Sequence, residues 1–141
     1  MDIWSKTKRA MVMSRIRSSD TKPELIVRSM LHRAGFRFVL HRRDLPGRPD
    51  IVLPKYRAVV FVHGCFWHRH KGCKSAAMPK TRKRFWTEKF AGNVLRDKRN
   101  SIALRRAGWS VIVVWECDVQ RDPNGTLANV IKRLGSRQGH E

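Results

Sequence analysis

The sequence predicts an α/β sandwich built around a mixed sheet, and three observations lead there. A capped helical segment comes first, three short strand-like runs follow it, and a long helical segment then leads into a fourth apolar strand. A strand, a long helix and a strand in that order form a parallel crossover, whereas short turns between strands make antiparallel pairs. The chain has 141 residues, which fits one domain. Its expected organisation is a basic arm over 1–20, a folded domain over 21–134 and a flexible tail over 135–141.

Each element has a local cause. Residues 1–20 carry five Lys and Arg against two Asp, with at most a helical turn around Ala10–Ile16. Thr21-Lys22-Pro23-Glu24 is a helix start: a Thr N-cap, Glu three residues on, and Pro in the first turn. Leu25, Ile26, Met30 and Leu31 are its expected apolar face, and Gly35 its stop. In Phe36–His41 apolar Phe36, Phe38 and Leu40 alternate as in a half-buried strand. After the loop Arg42–Pro49, the apolar runs Ile51–Leu53 and Ala58–His63 flank Pro54-Lys55-Tyr56-Arg57, a hairpin turn. Residues 64–80 read as irregular. Thr81–Ala107 reads as helix, in two pieces because Gly92 falls inside it, and Gly108 ends it. Trp109–Trp115 is an expected buried strand, Asp122–Gly125 a turn, and a short helix closes the domain at Leu134.

Charge narrows the partners. Thirty-one Lys and Arg against eleven Asp and Glu give a formal charge of +20. A compact body repels itself at that charge unless a polyanion supplies the opposite sign, which makes nucleic acid the first expected partner and an anionic membrane surface the second. No apolar run approaches the roughly 20 residues of a transmembrane helix. The N-terminus has no continuous apolar stretch of the kind a secretory signal needs. Three cysteines are too few for a disulfide scaffold, so a reducing, cytoplasmic setting is expected.

All three cysteines fall into one metal-ligand pattern. Cys65, His70 and Cys73 lie close together, and Cys117 follows the last strand. Thiolates and imidazole suit a tetrahedral structural zinc ion. The parallel crossover explains the long gap, because Cys65 and Cys117 then leave neighbouring strands at the same sheet edge. His68 is the alternative fourth ligand, although its spacing leaves it free for other work.

A second constellation has oxygen and imidazole chemistry. With the hairpin centred between Lys55 and Tyr56, Asp50 lies opposite Phe61 and His63 is its diagonal neighbour on one face. Asp50 and the backbone carbonyl of Val62 can hold hydrated magnesium, which serves phosphodiester hydrolysis by polarising the phosphate. His68 is the candidate general base, and Asp97 on the long helix the carboxylate that orients its ring. Phe66 and Trp67 sit in the loop that zinc would stiffen. Rings mounted there among basic residues can wedge between base steps, with Lys80, Arg82, Lys83 and Arg84 on phosphates. Phe85 is expected to pack in the core.

Six segments together resemble one family. They are Asp20–Glu24, Leu45–Asp50, the run Val62-His63-Gly64-Cys65-Phe66-Trp67-His68, Phe85-Trp86-x-Glu88-Lys89, Asn93-Val94-x-Arg96-Asp97, and Val114–Cys117. In this order, from about Ser14 to Cys117, the chain resembles the very-short-patch-repair (Vsr) DNA mismatch endonucleases. The resemblance implies a restriction-endonuclease-like α/β/α sandwich with a structural zinc. It also implies a magnesium-dependent, strand-specific nick 5′ of the thymine in T·G mismatches left by 5-methylcytosine deamination. Asp50 and the Val62 carbonyl would then bind magnesium, and Glu24 would reach the metal's water shell. His68 would activate water with Asp97 behind it, and His63 would act at the phosphate. Phe66, Trp67 and Trp86 would open the duplex, Lys89 and Asn93 would touch the mismatched pair, and Met13 would lean on the opposite groove. Where nucleases of the wider fold carry an acidic residue and a lysine on the second strand, this chain has Phe61-Val62-His63.

A monomer acting on mismatched double-stranded DNA in a bacterial nucleoid is therefore expected, with other mismatch-repair proteins as further partners and no membrane. The competing readings are a zinc-stabilised DNA-binding module without catalysis and a basic RNA-binding protein.

Overall fold

A computed structural model describes residues 20–138. Helix α1 spans Lys22–Arg33, and Thr21 caps it by accepting the Glu24 N–H on Oγ1 at 3.4 Å. The reciprocal half of the predicted capping box is displaced by one residue. Glu24 Oε1 accepts the N–H of Asp20 at 3.0 Å rather than that of the cap itself. The inward stripe of α1 is Glu24, Val27 and Leu31, at i, i+3 and i+7. Leu25, expected on the apolar face, is exposed. The helix therefore carries a carboxylate into the interior on the same stripe as its hydrophobic anchors.

Strands β1 (Val39–Leu40), β2 (Ile51–Leu53), β3 (Ala58–His63) and β4 (Ser110–Trp115) form a four-stranded sheet in the order β1-β2-β3-β4. The first two pairings are antiparallel and the last is parallel, so the sheet is mixed as expected. Ile51 opposes Val60 and Leu53 opposes Ala58, which centres the hairpin between Lys55 and Tyr56. Its turn is a 3-10 segment, Pro54–Tyr56, closed by Arg57 at φ +48°. Strand β1 has two residues instead of the six predicted. Phe36 and Phe38 do pack on the core, but only Val39 and Leu40 find partners on β2. Strand β2 has only three residues, so it offers β1 little more than these two pairs.

Helix α2 runs unbroken over Lys83–Arg106, against the predicted break at Gly92. A single glycine weakens a helix by only about 1 kcal/mol, too little to stop one this long. It ends at Gly108, whose φ of +93° suits glycine. Helices α3 (Glu116–Arg121) and α4 (Pro123–Gln138) complete the chain. Helix α3 is absent from the sequence prediction. The predicted turn at Asp122–Gly125 is instead the start of α4, with Asp122 Oδ1 accepting the Gly125 N–H at 3.0 Å, and α4 continues past Leu134.

Alternating strand residues divide the core. Ile51, Leu53, Val60, Val62, Ile112 and Val114 join Val27 and Leu31 of α1, Val119 of α3, and Val130 and Leu134 of α4. Val52 and Val59 turn the other way to Leu104 of α2. The result is three layers, helices on both faces of the sheet, which is why β2 and β3 read as continuous apolar runs. Because β2 is antiparallel to β3, the start of β2 and the end of β3 meet at one edge. Asp50, His63, Cys65 and Cys117 are all delivered there. No helix among the described residues is long and apolar enough to cross a membrane.

Candidate active site and metal centre

The four predicted zinc ligands converge. One ligand atom each from Cys65, His70, Cys73 and Cys117 lies within 4.8 Å of the others. His70 Nδ1 stands 3.6 Å from Cys65 Sγ and 3.3 Å from Cys117 Sγ. Bond lengths of about 2.3 Å to sulfur and 2.0–2.1 Å to nitrogen put tetrahedral ligands about 3.5 Å apart, so the set fits a zinc ion. Burial, together with the neighbouring thiols, pushes the Cys65 thiol up to about 12. Three clustered thiols can lose their protons together only if a cation takes their place. His70 is the histidine of this set, because His68 is engaged elsewhere. The Trp115 ring stacks on His70 at 4.2 Å and fixes its plane, and Glu116 Oε1 accepts the Cys65 N–H at 3.4 Å.

His68 and Asp97 form the predicted pair. His68 Nδ1 lies 2.5 Å from Asp97 Oδ2, and among the described residues the other ring nitrogen has no hydrogen-bond partner. His63 stacks on His68, with centroids 3.8 Å apart and planes 6° from parallel. Burial, then the charge of His68, lowers the His63 pKa to about 4, so His63 is neutral near pH 7. Although His63, His68 and Asp97 cluster tightly enough to suggest a metal, the stacking argues otherwise. Imidazole lone pairs lie in the ring plane, and two parallel stacked rings cannot aim theirs at a single ion.

Asp50 does not join that group. Its Oδ2 accepts the Val62 N–H at 2.7 Å, and its carboxyl lies within hydrogen-bonding reach of Glu24. Burial, opposed by the Val62 bond and reinforced by the charge of Glu24, raises the Asp50 pKa to about 8. Two adjoining carboxyl groups, 7% and 1% exposed, resist carrying two charges. A hard divalent cation would relieve them, so this oxygen-rich pair fits magnesium by its chemistry. Arg28 donates to Glu24 Oε2 at 3.0 Å, and His41 Nε2 lies 2.8 Å from the same oxygen.

The three rings expected to enter DNA lie against one another. Phe66 and Trp67 pack edge-to-face at 5.1 Å, and Trp86 lies 5.7 Å from Phe66 and 6.0 Å from Trp67. Phe90, buried beneath, serves as their floor. Phe85, expected in the core, is instead 43% exposed, with Arg82 over its ring. Asn93 Nδ2 donates to the Trp67 carbonyl at 3.3 Å, while Lys89 is exposed on the same helix. Met13 and the rest of the arm through residue 19 lie outside the described residues.

Several supports escaped the sequence reading. Arg69 holds its guanidinium 4.1 Å from the Phe90 ring centre and donates to the carbonyls of Phe66 and Ala76. Nothing in the pattern marks it. Arg28 stands four residues after Glu24, a helix-pair spacing that was readable. His41 reaches Glu24 across 17 residues, and no local signal announces such a contact.

Comparison with known proteins places the chain among its relatives. The family model described as DNA mismatch endonuclease Vsr matches residues 1–75. A protein of Xanthomonas oryzae pv. oryzae, "Type II nicking enzyme V.XorIIP", is 51% identical over 84% of this chain and 86% of its own length. "Type II nicking enzyme V.NmeAIP" of Neisseria meningitidis is 46% identical over 84% of each chain. "DNA mismatch endonuclease Vsr" of Escherichia coli is 44% identical over 94% of this chain and 85% of its own.

Proposed function

Because the chain belongs to the Vsr family of DNA mismatch endonucleases, we propose that it nicks one strand of double-stranded DNA immediately 5′ of the thymine in a T·G mismatch. Such mismatches arise where 5-methylcytosine deaminates. The fold that goes with this reading is restriction-endonuclease-like, and the cofactors are a catalytic magnesium ion and a structural zinc ion. Other mismatch-repair proteins are proposed as further partners, with the enzyme itself a monomer.

One observation carries the reading. Strand β3 joins two chemically distinct centres, with the Val62 N–H on Asp50 and the very next residue, His63, stacked on His68. Magnesium held by Asp50 and the Val62 carbonyl would supply Lewis-acid polarisation of the scissile phosphate. Glu24, beside Asp50, would hold a water of the ion's shell. His68 takes the proton of the attacking water on Nε2, while Asp97 on Nδ1 fixes the tautomer and stabilises the charge that results. His63, kept neutral, hydrogen-bonds a phosphate oxygen without adding a second cation beside His68. Phe66, Trp67 and Trp86, braced by the zinc loop, insert where stacking is already weakened by the mispair. Lys89 and Asn93 reach the mismatched bases and Met13 the opposite groove.

The test is a nicking assay on end-labelled duplexes that differ at one pair. With magnesium, the expected product is a single cut 5′ of thymine in the T·G duplex, with the G strand intact and a T·A control uncut. Binding without cutting in every flanking context would favour a zinc-stabilised DNA-binding module instead.

A further inference from the structure

Glu24 is a buried carboxylate delivered by α1, and Asp50 is delivered by the start of β2, in a different layer. One residue touches both. His41 donates its backbone N–H to the Asp50 carbonyl at 3.2 Å and places Nε2 2.8 Å from Glu24 Oε2. We propose that His41 is a positioning residue of the divalent-cation centre, clamping the Glu24 carboxylate to the strand that carries Asp50. The proposal rests on the reading that Asp50 and Glu24 serve such a cation.

The lone pairs of Glu24 show what the clamp does. Each carboxylate oxygen offers two acceptor sites. Arg28 and His41 occupy Oε2 and the Asp20 N–H takes one site on Oε1, so among the described residues one site is left, within reach of the Asp50 carboxyl and open to a water of the ion's shell when Asp50 turns to the ion. Arg28 already supplies full positive charge on Oε2, so His41 is not needed to neutralise the group. It contributes direction. Arg28 shares helix α1 with Glu24 and moves with it, whereas His41 belongs to the β1–β2 connection and ties that helix to the sheet edge. His41 also has φ +49°, a left-handed conformation that non-glycine residues adopt only where the surrounding structure holds them in it. Asp20, Glu24 and His41 come close enough together to suggest a separate metal site. The Arg28 guanidinium, on both carboxylates at 2.8 and 3.0 Å, argues against one.

The test uses the full, zinc-loaded chain with His41→Ala and His41→Gln. Binding of Mn2+ is measured from the loss of the free-ion paramagnetic resonance signal, alongside the Mg2+ concentration giving half-maximal nicking of a T·G duplex. Groups that orient metal ligands are typically worth 10–100-fold in affinity, so His41→Ala is expected to weaken Mn2+ binding about tenfold and raise the Mg2+ requirement in step. Duplex affinity without divalent cation stays unchanged. His41→Gln, whose amide can donate to Glu24, restores Mn2+ affinity to within about threefold of the wild type. Folded His41→Ala with wild-type Mn2+ affinity overturns the clamp and leaves the reading of the centre intact. So does His41→Gln binding as weakly as His41→Ala. A wild-type protein that neither binds Mn2+ nor nicks overturns both.

Discussion

Replacing Asp50 by Asn is expected to lower the nicking rate about a thousandfold or more, because losing a Lewis-acid site removes several kcal/mol of transition-state stabilisation. Duplex affinity should be nearly unchanged, since the aromatic wedge and the basic surface remain. Single-turnover nicking and a gel-shift titration of the same preparation separate the two effects. The variant should also be more stable than the wild type in mildly alkaline, magnesium-free solution. Asp50 has its pKa raised from 3.8 to about 8 in the fold, so the folded state holds a proton that the unfolded chain releases. That contribution is complete below pH 4 and is lost as pH rises through 8. His63, lowered from 6.5 to about 4, acts with the opposite sign, but only below pH 6.5. Between pH 6.5 and 8 the Asp50 slope is no longer opposed by His63 and amounts to up to about 2 kcal/mol. The amide introduced by Asp50→Asn cannot titrate, and it can still accept from the Val62 N–H and donate to Glu24. Denaturant unfolding of the zinc-loaded protein across that window should slope downward for the wild type and stay flat for the variant.

Removing zinc is expected to act on stability and on the wedge at once. The ligand set ties the loop after β3 to the first turn of α3, and Phe66 and Trp67 lie inside that loop. Structural zinc contributes about 10–16 kcal/mol of apparent binding free energy in small domains, as much as a whole fold holds. This chain has an independent core of Leu31, Ile51, Leu53 and Val60, so its sheet should survive in part. A net loss of a few kcal/mol lowers the melting temperature by about 10 °C or more at this size. Cys65→Ala should do the same. Thermal melting by circular dichroism, with near-ultraviolet signals for the tryptophans, checks both effects. An unchanged melting temperature and unchanged tryptophan signals in zinc-free protein would show the cluster to be inert.

Much of this was legible because the decisive signals were local or topological. Thr21 and Gly35 bound α1, and β2 and β3 have the predicted limits and register. The parallel crossover foretold that Cys65 and Cys117 would meet. What failed to show in the sequence depended on packing across layers. Leu25 looks as apolar as Leu31, and only the sheet decides which of them faces inward. Gly92 breaks a pattern without breaking a helix, because one unfavourable residue is carried by its many neighbours. Phe85 reads as core but lies in front of Trp86 and Phe90, which fill the space first. The His41–Glu24 contact and the stacking of Arg69 on Phe90 join residues far apart in the chain with no period between them, so no short window of sequence contains them.

The most direct test is the anomalous signal of manganese in a crystal of the protein with a T·G duplex. An ion bound to Asp50 and the Val62 carbonyl, next to the phosphate 5′ of the thymine, is the expected result. Manganese bound instead among His63, His68 and Asp97, with Asp50 still facing only Glu24 and the Val62 N–H, would contradict it.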